Sequence, residues 1–435
     1  MSMSNSRVAP RLLLLPAPPE PASADVVRIA YHQTLLSVIS RLSRLNDSDG
    51  AGTVPCIAPV LVVAVVLPVL TSPGESTTRL VRWNISQSLI AEIYSVVAEI
   101  CAEKSIATDF EADDPGAVDV RVVLVHHDPV VEPSYEPDLK RAYHANNTAV
   151  LDLAAFASLV HPWLEIFYPS SEAGYELLSV YLKIAERRQK IHSDHLVSVG
   201  GGLSLSIAGK ADHGTHRGVS PGYAVVCLGG TFDHLHLGHK LFLHAASLLL
   251  NSRQEGSSTS AHSCEIVIGI SSDQLLAKKE YVDEIQPWDI RARAVLTFLS
   301  TLLGSSTVAE TQMKAVHATT KELHAHFRDG AITARCVDFH DVYGPTTQEE
   351  KIQALVVSQE TRRGGAVINQ KRQDQGWHPL DIYEINVLNG NKHTEGGSRD
   401  KEGVDDFASK ISSTEIRRHK AQLRLKGRND HGFSC

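Results

Sequence analysis

The sequence predicts an α/β protein in two domains, the second built on a parallel sheet. Three observations carry this expectation. The chain has 435 residues, more than one ordinary hydrophobic core accommodates. From Tyr223 onward, short runs rich in Val, Ile and Cys alternate with stretches of helical periodicity, the pattern of a parallel sheet covered by helices on both faces. In the first half, "IAPVLVVAVVLPVL" (Ile57 to Leu70) is too continuous for a surface strand and too short for a bilayer span of roughly 20 residues. It reads as a strand buried on both faces. The expected divisions are an N-terminal α/β domain over residues 1–200, a linker over 201–221, the second domain over 222–425 and a tail over 426–435.

Composition narrows the function classes. Hydrophobic residues at 43% and charged residues at 21% describe a soluble globular chain, neither disordered nor membrane-spanning. A formal net charge of −8 argues against a general nucleic-acid binder, which would carry a basic face or tail. The six cysteines (Cys56, Cys101, Cys227, Cys264, Cys336, Cys435) include no CxxC pair, and several sit in apolar runs, so a reduced, cytoplasmic compartment is expected. The opening "MSMSNSRVAPRLLLLPAPPEP" has two arginines and a leucine run that prolines interrupt. That is a poor secretory signal and a weak transit peptide.

Taken in order, "YHQTLLSVISRL" has helical spacing and precedes the Val-rich strand. "SQSLIAEIYSVVAEICAEK" places Leu89, Ile93, Val96, Val97 and Ile100 on one helical face behind a serine cap. "AVDVRVVLVHHD" is a strand, while "VLDLAAFASLV" and "GYELLSVYLKIAERRQK" are helical. The Gly-, Ser- and His-rich stretch from Val197 to Gly222 reads as a linker, with or without a strand at its start. In the second half, "YAVVCL", "CEIVIGIS", "ARCVDFHD" and "LDIYEINVL" are strands. "HKLFLHAASLLL", "DIRARAVLTFLSTLL" and "STEIRRHKAQL" are helices. "TQEEKIQALVVSQETRRG" reads as helix, strand and turn, and "GAVINQKRQ" as a helix start. Asn389 to Asp406 is a polar surface insertion. The first half carries no phosphate loop, metal-ligand spacing or nucleophile motif.

The chemistry concentrates in "GGTFDHLHLGHK", Gly229 to Lys240, at the carboxyl end of a predicted strand, where open α/β sheets bind ligands. Three readings compete. His234 and His236 have a spacing found in metal hydrolases, with His340 and Asp341 as the remaining ligands to propose. In a chain with 22 histidines, the stretch could equally have no chemical role. The third reading uses order. Gly229 and Gly230 allow a sharp turn, and His236-Leu237-Gly238-His239 opens a helix whose free N–H groups and positive dipole end favour phosphate. Two imidazoles there can donate to phosphate oxygens.

That order resembles the (T/H)xGH nucleotidyltransferases and, in its full spelling, the phosphopantetheine adenylyltransferase family. The resemblance runs from Tyr223 to about Leu425 through four further motifs: "GISSDQLLAKK", "DVYGPT", "VVSQETRRGGAVINQKR" and "SKISSTEIRR". Singly these are weak, since "SSTEIR" is also a helix-capping pattern; in this order they reinforce one another. The resemblance implies a Rossmann-like nucleotidyltransferase domain that transfers AMP from ATP to 4′-phosphopantetheine without a covalent intermediate. It implies roles for Thr231 and Lys278 (Lys279 is adjacent) at the acceptor phosphate, and for His239 and His236 on the α-phosphate and triphosphate. Ser412, Ser413, Thr414 and Arg417 would hold the β- and γ-phosphates, with Mg²⁺ arriving on ATP. Gly229, Gly230, Phe232, Asp233 and Gly238 would shape the nucleotide turn, and Glu360, Thr361 and Asn369 would lie near adenosine.

No role in the family's chemistry calls for His234, which is expected to be structural, as is His244. No GxxGxGKS-like loop follows the last motif, so the layout resembles the single-activity fungal form, with the kinase step expected in another protein. Other coenzyme A-synthesising enzymes are then expected partners, docked through the N-terminal domain. The alternatives are a related nucleotidyltransferase with another acceptor and a non-catalytic scaffold of the same fold.

Overall fold

The computed structural model of the protein describes residues 9–48, 58–71, 79–109, 112, 114–128, 147–159, 162–201, 218–252, 263–304, 321–386 and 412–430. The chain divides into two compact units, Met1–Gly222 with Ser300–Val308, and Tyr223–Leu299 with Ala309–Cys435. Both are α/β, each organised on a six-stranded sheet. The insertion expected at Asn389 to Asp406 and most of the expected linker lie outside the described residues.

In the first unit, strands β1 (Arg11–Pro16), β2 (Val60–Leu67), β3 (Asp119–His126), β4 (Leu151–Asp152), β5 (Ile166–Pro169) and β6 (Leu196–Val199) follow the order β4-β3-β2-β1-β5-β6. Every pairing is parallel. The leucine run weighed as a leader is strand β1: Leu12, Leu13, Leu14 and Leu15 are fully buried, because strands covered on both faces take apolar residues at consecutive positions. Helix α1 (Ala24–Ser48) and helix α2 (Trp83–Lys104) follow β1 and β2. Helix α2 starts ahead of the expected serine cap; Ser86 lies inside it and donates to the Arg82 carbonyl. It is long and apolar enough to cross a membrane by length and composition, yet most of it is buried in this unit. Asp152 caps the short helix α3 (Leu153–Ser158), accepting from the Ala155 N–H at 2.7 Å, and Ser171 caps helix α4 (Glu172–Ala185).

The second unit contains β7 (Val225–Gly230), β8 (Cys264–Ser271), β9 (Glu322–Phe327), β10 (Ile332–Phe339), β11 (Ala354–Val357) and β12 (Asp381–Glu384), in the order β12-β11-β7-β8-β10-β9. All pairs are parallel except β9–β10, where an antiparallel edge strand completes the sheet. Helix α5 (Leu237–Ser247) leaves β7, the short helix α6 (Asp273–Leu276) leaves β8, and α7 (Trp288–Leu303), α8 (Arg362–Asp374) and α9 (Ser413–Asp430) follow. The helix read before β11 is only a single 3-10 turn, Gly344–Thr347. On one face of the sheet, Cys227, Val267, Val337 and Leu355 pack with Ile368 and Leu380. Strand β7 has β8 on one side and β11 on the other, so the chain's progression across the sheet reverses there. A crevice opens beyond the carboxyl ends at such a reversal, and the glycine-histidine turn occupies it.

A buried guanidinium organises the approach to β11. Arg372, 1% exposed, donates to the carbonyls of Thr346, Glu349, Glu350, Ile352 and His378 at 2.7–3.2 Å. These loop carbonyls have no sheet ladder to satisfy them, and leaving a buried acceptor unmade costs about 1–3 kcal/mol. Arg372→Leu is therefore expected to lower unfolding free energy by at least about 3 kcal/mol. Urea denaturation followed by tryptophan fluorescence checks this; an unshifted midpoint would contradict the assigned role.

Candidate active site

The turn after β7 is held in a conformation that ordinary residues avoid. Phe232 and His234 have φ of 52° and 44°, in the left-handed region. The Phe232 ring is fully buried, 6.2 Å from Phe242 and 5.3 Å from the His239 ring. A Cβ at Gly230 would approach the Phe232 ring to 3.1 Å, so glycine is what lets that ring close over the backbone. His234 earns its structural assignment: its N–H donates to Gln286 Oε1 at 2.9 Å, and its Nε2 lies 2.8 Å from the Glu284 carbonyl oxygen.

Asp233 is fully buried and engaged on both oxygens. Oδ1 accepts from the Gln286 N–H at 2.9 Å, and Oδ2 accepts from Arg417 Nη1 at 2.7 Å. Arg417, 1% exposed, also donates to the Glu280 carbonyl and to Thr414 Oγ1. Ser413 Oγ donates to the Asp233 carbonyl at 2.9 Å, and Ser412 Oγ caps the helix by accepting from the Glu415 N–H. Arg417 and Ser413, expected on the phosphates, are thus engaged within the protein. Their polar atoms fasten α9 to the turn, because a buried carboxylate at Asp233 requires a partner. What α9 presents to the crevice is its amino end, beside Ser412, Ser413 and Thr414.

At the start of α5, the His236 and His239 rings stack with centroids 3.9 Å apart and planes 23° from parallel. The Nδ1 atom of each is shut off from solvent and has no hydrogen-bond partner among the described residues. Burial lowers the pKa of His236 to about 3, with the charges of Lys240 and His234 adding to it. Burial, then His236, Lys279 and His234, hold His239 well below the ordinary range. Both rings are thus neutral near pH 7, and each can donate one N–H. Gly238 serves this pair: a Cβ there would meet the His236 ring at 3.2 Å.

On the other side of the turn, Lys279 Nζ donates to Thr231 Oγ1 at 3.3 Å. The lysine beside Thr231 is therefore Lys279, not the expected Lys278; the one-residue difference follows from the short α6 and the turn after it. Gly229 lies at the end of β7, in register with Gly269 of β8. The residues expected near adenosine divide. Glu360 and Thr361 are exposed at the start of α8. Asn369 has both ends of its carboxamide engaged: Nδ2 donates to the Leu380 carbonyl and Oδ1 accepts from the Leu380 N–H. Among the described residues no group of three or more His, Cys, Asp or Glu could hold a metal ion, and the proposed set of His234, His236, His340 and Asp341 does not assemble.

Two residues, one buried and one half-buried, escaped the sequence reading. Arg291, fully buried, donates to the carbonyls of Thr231, Ser271 and Gln286 and to Asp273 Oδ1. Gln286 ties Asp233 and His234 to the segment before α7. Arg291 had a readable signal, an arginine four residues before Val295 and seven before Phe298 on the buried stripe of α7.

The first half matches a family model described as a domain of unknown function (DUF8446), over residues 1–205. The phosphopantetheine adenylyltransferase of Saccharomyces cerevisiae is 32% identical over 196 residues, 45% of this chain and 48% of that protein. The alignment therefore spans about half of this relative's length. The phosphopantetheine adenylyltransferase of Pyrococcus furiosus is 30% identical over 38% of this chain and 79% of its own. An uncharacterized protein of Schizosaccharomyces pombe is 28% identical over 62% of this chain and 69% of its own. A Rossmann-like sheet whose reversal point carries this turn, together with these relatives, defines a nucleotidyltransferase. The chain belongs to the phosphopantetheine adenylyltransferase family, enzymes of coenzyme A biosynthesis.

Buried neutral histidines make the stability depend on pH. His244, 3% exposed, has its pKa lowered by burial from 6.5 to about 3. The unfolded chain takes up a proton at this position below about pH 6.5, while the folded chain does not until about pH 3. Stability is complete above that window and falls within it, with a limiting slope of about 1.4 kcal/mol per pH unit for each such imidazole. His244→Leu is expected to flatten the fall between pH 6 and 4 by one proton's worth. An unchanged slope in denaturation series at those pH values would refute this.

Proposed function

We propose that the protein transfers the AMP moiety of ATP to 4′-phosphopantetheine, releasing pyrophosphate and giving dephospho-CoA. The observation that carries this reading is the pairing, across one turn, of two neutral stacked imidazoles with a Thr231–Lys279 contact. One side suits the α-phosphate of a nucleotide, the other the phosphate of an acceptor. A phosphate oxygen of the acceptor attacks the α-phosphorus in line; the new P–O bond forms as the bond to the β-phosphate oxygen breaks. The attacking phosphate is already ionised near pH 7, so the work is alignment and relief of charge repulsion.

Lys279 and Thr231 orient the attacking phosphate. His239 donates to the α-phosphate as charge accumulates, and His236 supports the triphosphate. The first N–H groups of α5 and α9 contribute two positive helix ends. Mg²⁺ is expected with ATP, where it would neutralise the triphosphate. The polar groups around the turn are imidazole, ammonium and hydroxyl, with the Asp233 carboxylate taken up by Gln286 and Arg417, which suits an ion that arrives on phosphate oxygens rather than in a carboxylate cage.

The N-terminal domain, residues 1–200, is proposed to dock other coenzyme A-synthesising enzymes. Deleting residues 1–200 should abolish their co-purification with the chain; retention of all partners would end that reading. The cytoplasm is the proposed compartment, in keeping with free buried thiols at Cys101, Cys227, Cys264 and Cys336. Recovery of the chain in an organelle fraction would overturn it.

The decisive assay is pyrophosphate release from ATP and Mg²⁺ with and without 4′-phosphopantetheine. Release that depends on the acceptor is expected. ATP binding without release would favour another acceptor or a scaffold. In the same assay, His239→Ala is expected to lower turnover on the order of 10²–10³-fold, as loss of one charge-stabilising donor does. Lys279→Ala is expected to be severely impaired while Lys278→Ala stays near wild type; the reverse order would reject the lysine assigned here.

A further inference from the structure

The two halves of the turn are held by different guanidiniums. Arg417 grips Asp233, on the histidine and α9 side. Arg291 grips Thr231, on the lysine side, through four hydrogen bonds to separate segments. Nη1 donates to the Thr231 carbonyl at 2.7 Å, Nη2 to the Ser271 carbonyl at 2.9 Å and to Asp273 Oδ1 at 2.8 Å, and Nε to the Gln286 carbonyl at 2.9 Å. One planar group thus joins the turn after β7, the end of β8, the first residue of α6 and the segment entering α7.

The Thr231–Lys279 contact depends on this junction from both directions. The Thr231 backbone is fixed through its own carbonyl. Lys279 follows α6, whose first residue, Asp273, is the carboxylate partner of Arg291, and the Lys279 N–H donates back to the Leu276 carbonyl at 2.9 Å. Arg291 itself is no phosphate ligand. It is fully buried, and its charge faces the Asp273 carboxylate. Lysine cannot replace it in kind, because an ammonium is a point donor without the planar fork that reaches three carbonyls and a carboxylate.

We infer that Arg291 is a positioning residue chiefly for the acceptor half of the site, setting the spacing of Thr231 and Lys279; its reach toward the nucleotide half is indirect, through the Gln286 carbonyl, whereas Arg417 holds Asp233 directly. The inference rests on the proposed assignment of Thr231 and Lys279 to the acceptor phosphate. A displacement on the order of 1 Å at such a pair costs about 10²-fold.

The test measures KM for 4′-phosphopantetheine, KM for ATP and kcat for the full chain carrying Arg291→Lys or Asp273→Asn. Calorimetric titrations with 4′-phosphopantetheine, ATP and inorganic phosphate run alongside. Arg291→Lys is expected to lower kcat/KM for the acceptor about 10²-fold, with ATP affinity within about twofold of wild type. Asp273 is about half exposed (its side chain 49%), so Asp273→Asn keeps the fold and is expected to shift the same constants in the same direction by a smaller factor. If Arg291→Lys fails to fold, Asp273→Asn decides. Equal losses for acceptor and ATP, or no change in either, overturn the inference. If the wild-type chain neither binds nor turns over 4′-phosphopantetheine, the functional assignment fails instead. Inorganic phosphate then decides the positioning role: it must bind wild type more tightly than the variants, or that role falls as well.

Discussion

The site depends on one buried carboxylate. Asp233 sits at the centre of the turn with no solvent exposure, and an ionised group there is tolerable only when both oxygens are matched. One oxygen takes the Gln286 N–H and the other the Arg417 guanidinium. Through those two contacts a single side chain joins three separated pieces of sequence: the turn after β7, the segment entering α7, and α9. The helix carrying the last sequence motif therefore lies where it does because a charge must be neutralised. Its amino end is delivered to the crevice as a result.

Arginine recurs where loops meet the strand ends of the second sheet, Arg291 and Arg417 around the turn after β7 and Arg372 at the approach to β11. Arg291, Arg372 and Arg417 are all essentially fully buried, and each collects oxygens that regular structure leaves unsatisfied. An apolar side chain could fill the same volume but would strand those carbonyls. The guanidinium suits the task because its donors lie in one plane and spread over a wide angle, so a single residue satisfies loops arriving from several directions. The apolar core fixes the sheet and its helices; the arginines fix the irregular segments that carry the chemistry.

Much of this was legible in the chain itself. The Val-rich runs, the strand–helix alternation after Tyr223 and the glycine-histidine turn between a strand and a helix are local signals, and the structure has these elements where they were read. What escaped depends on partners far away in sequence. The leucine run of β1, cut short by prolines, gave no strand signal of its own until paired between the parallel neighbours β2 and β5. Strand β5 is only four residues long, and β9 alternates apolar residues with histidines, so neither rises above its surroundings without the sheet. Arg417 and Asn369 sit in motifs associated with ligand binding, yet both are engaged by the protein: the first by Asp233, the second by the Leu380 backbone. The distinction between Lys278 and Lys279 depends on the path of a single short turn, which spacing alone does not specify.

The left-handed residues of the turn carry a consequence for binding. Non-glycine residues at such dihedrals cost about 1–3 kcal/mol each and persist only where their surroundings over-determine them. For Phe232 the surroundings are a packed aromatic cluster, and for His234 a pair of hydrogen bonds that it donates to the Glu284–Gln286 segment. The loop's conformational cost is therefore met during folding, before any ligand arrives. Such preorganisation leaves little entropy to lose on association. It also means the donors need not reorient as negative charge develops, so affinity and rate draw on the same rigidity.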